Sequence, residues 1–291
     1  MFYYMEKNNF EHCIMKTFQP AIKWSGSKRS QASNIVSFFP REIDTYYEPF
    51  CGGCSVLRAI FNTDIKVNNF ICSDINITLI SLWQMIKTNP KLVVAEYKKL
   101  WEQLNAIADI EGQKRFYEKI REKFNKEKNP LDFMFLDRTC FNGLIRYNKN
   151  GEFNSPFHIN RGGIKPNTLE KIIIEWSELL NNHNVEFKML TYQWIRPKEN
   201  DFLYLDPPYA NTNGMYNNNF DNNRFFNWLN NINCKWALSY DGKSGNEDNT
   251  FEVPKHLYDE HYYLSSGNSS FKRLKETDKN AMVYESLYIK N

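Results

Sequence analysis

A chain of 291 residues, 42% of them hydrophobic, can bury a sizeable core as one large domain or as one domain with an inserted module. A formal net charge of +3 neither announces nor excludes a polyanionic partner. No apolar run approaches the roughly 18 residues a membrane helix needs, and residues 1–16 show no signal-peptide pattern, so a soluble cytoplasmic protein without a membrane role is expected.

In chain order, a short strand at 44–48 runs into Pro49-Phe50 and a Gly52-Gly53 turn. A helix follows at 55–61, then a strand at 69–72 ending in Ser73-Asp74. Strand, glycine turn, helix and a strand ending in an acid is the arrangement of a nucleotide-binding α/β half. Helices are predicted over 77–87, 91–108, 113–126 and 131–141, with no strand between them, which reads as an inserted helical module at 77–163. The Lys- and Arg-rich stretch 114–128 interleaves Glu118, Glu122 and Glu127, as a salt-bridged solvated face does. A second basic stretch lies at 271–275. The segment 142–166 is glycine-rich and loop-like, with Pro156 and Pro166. A helix at 167–180 returns to strands at 185–190, 202–205, 235–239 and 282–289. The fold class is therefore α/β, with a Rossmann-like parallel sheet formed by 1–76 and 164–291 and split by the helical segment.

The run Phe202-Leu203-Tyr204-Leu205-Asp206-Pro207-Pro208-Tyr209 carries the most chemistry. A buried apolar strand must stop at the two prolines, which lack a backbone N–H and stiffen the loop. A carboxylate, a free backbone carbonyl and a flat ring then stand together and can grip a planar group bearing an NH2. Taken alone, Asp-Pro-Pro is a strand end followed by a proline turn. The glycine turn after Phe50 can admit a ligand backbone-close, although plain turns look alike. Asp74 fits an acceptor for ribose hydroxyls and equally a helix N-cap. Six cysteines, Cys13, Cys51, Cys54, Cys72, Cys140 and Cys234, show no disulfide framework. Cys51 and Cys54 form one C-x-x-C, but a zinc site needs two further ligands. His256 and His261 are five apart with no acidic helper at metalloprotease spacing, so no metal is expected.

Asp206-Pro207-Pro208-Tyr209 resembles motif IV of the amino-methyltransferases that modify exocyclic amines of DNA bases. Lys23-Trp24-Ser25-Gly26-Ser27-Lys28 is similar to the K-W-A-G-G-K segment of Dam-type and EcoRV-type DNA adenine methyltransferases. So is the block Arg138-Thr139-Cys140-Phe141-Asn142-Gly143-Leu144-Ile145-Arg146-Tyr147-Asn148, continued by Gly151-Glu152-Phe153-Asn154-Ser155-Pro156-Phe157. The resemblance runs from about Lys23 to the C-terminus. It implies a class I methyltransferase sheet of seven strands with the last antiparallel, S-adenosyl-L-methionine as cofactor, and double-stranded DNA as partner. It further implies an N6-adenine reaction on a flipped-out base in a site beginning G-A, such as GATC or GATATC. Asp206, Pro207, Pro208 and Tyr209 are the implied catalytic residues. Trp24, Lys28, Phe50, Gly52, Asp74 and Asp206 are the implied cofactor residues. Lys23, Asn142, Leu144, Arg146, Asn148 and Pro156 are the implied DNA contacts, with Arg146 suited to a bidentate pair with guanine.

Three departures stand out: Ser27 and Cys54 replace family glycines, and Leu190-Thr191-Tyr192 replaces a G-D-F context. A monomer or weak dimer is expected, with a cognate restriction endonuclease as a functional partner. The rival readings are a cytosine-N4 or RNA amino-methyltransferase, which more often has Ser or Asn at position 206, and a non-catalytic DNA-binding relative, which would lose the acid. A dinucleotide oxidoreductase would need a G-x-G-x-x-G that Gly52 does not begin.

Overall fold

The computed structural model describes residues 3–5, 18–209, 220–244, 247–268 and 282–291. The basic stretch at 271–275, Cys13 and most of 1–16 lie outside the described residues. The elements in chain order are β1 (Tyr3–Met5), α1 (Ala32–Val36), β2 (Glu42–Glu48), α2 (Ser55–Ile60), β3 (Lys66–Asp74) and α3 (Ile77–Thr88). Then come α4 (Pro90–Asn105), α5 (Ile110–Glu127), α6 (Pro130–Thr139), α7 (Pro166–Asn182), β4 (Val185–Met189) and β5 (Phe202–Leu205). The chain closes with α8 (Asn222–Leu229), β6 (Lys235–Ser244), β7 (Glu247–Asp248), β8 (Glu260–Asn268) and β9 (Met282–Lys290).

One sheet runs β1-β8-β9-β6-β5-β2-β3-β4, with β7 paired to β6. Strands β4, β3, β2, β5 and β6 are mutually parallel, and β9 is antiparallel to both β6 and β8. The seven strands expected are present with the last antiparallel; β1 on the β8 edge and the two-residue β7 are additions. The order reverses between β2 and β5, the topological switch point at which open α/β sheets bind ligands beyond the carboxyl ends of their strands.

Strand β5 shows why a continuous apolar run reads as a central strand: its side chains alternate between two covered faces. Phe202 and Tyr204 face Phe39, at ring distances of 4.5 and 6.1 Å. Leu203 and Leu205 share the other core with Phe225, Phe226 and Leu229 of α8. Helix α3 packs on β3 and β4 and also on α4, α6 and α7, so it joins the sheet to the helices that follow it. Its start is set by Asn76, whose side chain accepts from Leu79 N. Proline at the first turn opens α4, α6 and α7. No described helix is long and apolar enough to cross a membrane.

Several elements lie outside the sequence-based expectations: β1, α1, α8 and β8. The segment 142–166 is also more ordered than a loop. Antiparallel bridges Cys140–Phe157 and Tyr147–Phe153 fold residues 140–157 into a hairpin after a short 3-10 turn at Phe141–Gly143.

Candidate active site

The β2–α2 turn is built by close approach. Gly52 has φ +44°, and a Cβ there would lie 2.6 Å from the Trp24 ring. A Cβ on Gly53 would lie 3.1 Å from Trp24 Cβ, so the Trp24 side chain rests directly on this turn. Gly52 O accepts from Trp83 Nε1 at 2.9 Å. Asp74, at the end of β3, accepts from Asn76 N at 2.9 Å and from Gly52 N at 3.4 Å. Burial raises its pKa to about 6 against these bonds.

A cavity of about 680 Å3 opens here, lined by Trp24, Glu48, Phe50, Asp74, Asp206 and Tyr209 among others. That volume falls within the roughly 300–1,000 Å3 of small-ligand sites. Thr191, Tyr192 and Gln193 also line it, with the Tyr192 ring 5.6 Å from Phe50. The glycine turn, a buried acid at the neighbouring strand end and an aromatic wall fit an adenosine-bearing cofactor with a ribose diol.

Asp206 begins the loop after β5. Its Oδ2 is 2.9 Å from Lys28 Nζ. Lys28 also reaches Glu285 Oε2 at 3.4 Å and donates to Gly26 O at 2.9 Å. An ammonium has three donors, so Lys28 is committed to these three acceptors. It is only 5% exposed. Burial alone would lower its pKa, but Asp206 and Glu285 more than reverse this and leave it raised. Burial pushes Asp206 up to about 6, with Lys28 opposing and Glu285 reinforcing the rise. Tyr209 donates its hydroxyl to Glu285 Oε2 at 3.0 Å, and Lys28 Nζ lies 4.8 Å from its ring centroid. Pro207 is buried and Pro208 half-buried between them.

Two functional candidates escaped the sequence reading. Glu285 sits outside every motif quoted above. Glu48 ends β2, is 3% exposed, and accepts from Tyr46 Oη at 2.8 Å and Leu57 N at 3.1 Å. Burial lifts its pKa to about 8, with Asp206 adding to the rise and the two bonds opposing it. An acid immediately before Pro49 was the only signal for it.

The hairpin 140–157 exposes alternate side chains: Asn142, Leu144 and Arg146 are exposed while Gly143 and Ile145 are buried. Pro156 is exposed on the return strand, and its carbonyl accepts from Phe141 N at 2.8 Å. Arg146 Nε donates to Asn154 Oδ1 at 3.1 Å. Ser155 sets this register: its hydroxyl donates to Leu144 O and accepts from Arg146 N at 3.0 Å. Its carbonyl in turn accepts from Tyr117 Oη at 2.9 Å. Asn148 differs from the others: its Oδ1 caps Asn150 N and Glu152 N, and its Nδ2 donates to Glu152 at 2.8 Å. It shapes the hairpin tip.

Lys23 ties the Trp24 loop to α6 and to the hairpin. Its backbone N–H donates to buried Asp137 at 3.1 Å, and its side chain lies against Gly143, where a Cβ would stand 2.4 Å from Lys23 Cδ. Gly143, at φ +65°, therefore serves both a left-handed turn and this contact. Tyr147 lines the cavity and accepts from Asn76 Nδ2 at 3.3 Å. The structure thus places the exposed hairpin beside the cavity holding Asp206. The described cysteines are free and buried, and no group of three or more His, Cys, Asp or Glu among the described residues could hold a metal ion.

Comparison with known proteins agrees with this geometry. The profile of the D12 class N6 adenine-specific DNA methyltransferases matches residues 24–282. The chain is 34% identical over 212 residues to the type II methyltransferase M.MjaIII of Methanocaldococcus jannaschii, covering 67% of this chain and 70% of that protein. It is 32% identical to the DNA adenine methylase of Vibrio cholerae, covering 67% of each. It is also 32% identical to the type II methyltransferase M.FokI of Planomicrobium okeanokoites, covering 74% of this chain but only 32% of that longer protein. With the glycine turn, the Asp206–Tyr209 loop and the hairpin assembled around one cavity, the chain belongs to the D12 class of adenine-specific N6 DNA methyltransferases.

Proposed function

We propose that the protein transfers a methyl group from S-adenosyl-L-methionine to the N6 amino group of an adenine flipped out of duplex DNA, in a site beginning G-A such as GATC or GATATC. The observation that carries this reading is the convergence of Asp206, Tyr209 and Lys28 on the cavity at the switch point. The cofactor supplies an electrophilic methyl group on a sulfonium. This chain's residues bind, orient and keep the acceptor nitrogen nucleophilic.

A base inside a duplex cannot reach a cavity of this kind, so the target leaves the stack. Tyr209 offers it a ring to stack on. Asp206, ionised, accepts one amino hydrogen, and the backbone carbonyl of Pro207 is suited to the other. Both acceptors hold the amino hydrogens in place and leave the nitrogen lone pair available to attack in line. Solvent takes the displaced proton. Asp74 is positioned for the ribose hydroxyls, with Trp24, Phe50 and Gly52 around the remainder. Lys28 is engaged with Asp206, Glu285 and Gly26, so its main role is to keep Asp206 ionised, and the cofactor contact implied by the resemblance is secondary.

On this reading the catalytic unit comprises 1–76 and 164–291. The segment 77–163 reads DNA, with α3 as the junction because it packs on both. Arg146 is proposed for guanine, Asn142, Leu144 and Pro156 for further base-edge contacts, and Lys23 for the backbone beside Gly143. Asn148 contributes by shaping the tip. The protein is proposed to act in the cytoplasm, as a monomer or weak dimer, with a cognate restriction endonuclease as its functional counterpart.

The test is single-turnover methylation of a duplex containing G-A steps, using tritiated cofactor and hydrolysis of the product to bases. N6-methyladenine is expected, and Asp206→Asn should slow transfer far more than it weakens duplex affinity. Label recovered on cytosine, or near-normal turnover by Asp206→Asn, contradicts the reading.

A further inference from the structure

We propose that Glu285 is a positioning residue for this reaction: its carboxylate anchors the Tyr209 hydroxyl and shares the Lys28 ammonium, fixing the ring on which the target base stacks. The inference rests on the reading of Asp206–Tyr209 just given.

Prolines 207 and 208 stiffen the backbone of the loop, but they do not set the side-chain torsions of Tyr209. The ring needs attachment at its far end as well. Its hydroxyl donates to Glu285 at 3.0 Å and also stands within hydrogen-bond reach of Asp206, so Glu285 adds a hold from a separate strand to that of the loop's own acid. Tyr240 contacts the same ring at 5.7 Å, tilted by 51°, and a tilted ring contact does not fix its rotation. Glu285 also stands 3.4 Å from Lys28, so one carboxylate couples the ring to the group that faces Asp206.

The backbone shows how a residue two strands away arrives there. Glu285 lies on β9, paired with Leu264 of β8. On its other side the β6–β9 register slips between Tyr240 and Lys243. Such bulges bend a strand and re-aim side chains next to active sites. Gly242, within the slipped stretch, lets β9 come close: a Cβ there would stand 2.1 Å from Tyr284 O and 2.9 Å from Glu285 Cα. The irregularity in β6 and the missing side chain at 242 together seat Glu285 against the catalytic loop. The match to the family profile ends at residue 282, short of this acid.

A double-mutant cycle tests the coupling. Single-turnover transfer to a GATC duplex is measured for wild type, Glu285→Ala, Tyr209→Phe and the double variant. Either single change should slow transfer by about tenfold with duplex and cofactor affinity within about twofold of wild type, a loss confined to the transition state. The double variant should be less impaired than the product of the two single losses, because both changes remove the Tyr209–Glu285 hydrogen bond. Glu285→Gln keeps an acceptor for the hydroxyl and should restore most of the rate. It should also move the acid limb of the rate–pH curve to lower pH, since a negative charge beside Asp206 is gone.

An independent readout uses 2-aminopurine in place of the target adenine. Its fluorescence in the bound duplex should be less quenched with Glu285→Ala than with wild type, as stacking on Tyr209 loosens. Wild-type rates in Glu285→Ala, multiplying losses in the double variant, or an unmoved acid limb in Glu285→Gln overturn the proposal. If Glu285→Ala does not fold, the Gln variant and Tyr209→Phe decide alone. Rates insensitive to Asp206→Asn would remove the site reading itself; sensitivity to Asp206 and Tyr209 with indifference to Glu285 would remove only this inference.

Discussion

Replacing Lys28 by Met isolates the electrostatics of the catalytic loop. The change keeps an unbranched side chain of similar length and removes the only cation within reach of Asp206 among the described groups that shape its ionisation. Asp206 is then left beside Glu285 without compensation. An opposite charge at such distance depresses a carboxyl pKa by about 1–3 units. With Lys28 present the Asp206 value is about 6, so without it the value should rise to roughly 7–9. At pH 7 the ionised fraction would fall from about nine-tenths to about half or less, because each unit corresponds to about 1.4 kcal/mol between protonation states. A protonated Asp206 offers a donor where the adenine amino group needs an acceptor. The single-turnover rate of Lys28→Met should therefore be several-fold lower at pH 7 and recover toward pH 9. The acid limb of its profile should move alkaline by about one unit or more. Rates are to be measured from pH 5.5 to 9.5 at saturating duplex and cofactor. An acid limb that stays in place, or moves to lower pH, would refute the role given to Lys28.

Glu48 titrates near 8 in the fold against 4.5 as its ordinary value, so the native state holds a proton that the unfolded chain has released. Its contribution to stability is complete below about 4.5 and is lost as pH rises through 8. The lowered pKa values of His183 and His261 act in the opposite sense below about pH 7. The difference in unfolding free energy between wild type and Glu48→Gln should thus shrink from pH 6 to 8, by up to about 2–3 kcal/mol, and denaturant melts at both pH values check this. Gly52→Ala would place a methyl 2.6 Å from the Trp24 ring at φ +44°. It should weaken S-adenosylhomocysteine binding by about tenfold or more, given a left-handed cost of about 1–2 kcal/mol before the ring moves; calorimetry reads the loss, and unchanged affinity would free Gly52 from the site. Arg146→Ala should cost about 1–3 kcal/mol of discrimination at the guanine beside the target adenine. Lys149, exposed at the hairpin tip, is suited to a phosphate, so Lys149→Ala should weaken all duplexes and flatten the salt dependence. Equal losses on matched and mismatched duplexes would make Arg146 a phosphate contact.

Much of the frame was legible because it follows from local pattern. The strand at 202–205 coincides with β5, since four apolar residues closed by two prolines leave little choice. The helices at 77–87 and 113–126 fall within α3 and α5. Strand β8 was hidden because only Tyr262-Tyr263-Leu264 is apolar or aromatic there, between Glu260-His261 and the polar Ser265–Asn268, on a strand flanked by the short edge strand β1. Helix α8 has only eight residues, and its polar side is asparagine-rich, which reads as a loop. The site divides the same way. Asp206, Tyr209 and Asp74 are marked by strand ends. Glu48 and Glu285 are ordinary acids in sequence: only burial sets Glu48 apart, and only tertiary contact brings Glu285 to Lys28 and Tyr209. Local sequence likewise could not show that the Asn148 side chain accepts from Asn150 N and Glu152 N at the hairpin tip.

The departures at positions 54 and 27 have different settings, one within the glycine turn and one in the Trp24 loop that rests on it. Glycine at 52 and 53 is enforced by Trp24, which leaves no room for a Cβ at the first and little at the second. At 54 the demand is only conformational. Cys54 is left-handed at φ 53°, ψ 37°, and its carbonyl accepts from Arg58 N at 3.0 Å to start α2. A non-glycine residue bears about 1–2 kcal/mol for that backbone, but here the side chain points into the core. It is fully buried beside Cys51 and Cys72, and burying a small apolar group recovers energy of the same order. Ser27 makes a comparable exchange: its hydroxyl lies 2.7 Å from that of Ser55, the first residue of α2, tying the Trp24 loop to the helix that the turn begins. Cys54 falls where the turn has core behind it, whereas Ser27 lines the cavity and is braced there by Ser55. At Gly52 and Gly53, which face the cavity beneath Trp24, the turn keeps the narrow glycine backbone that lets a ligand approach closely.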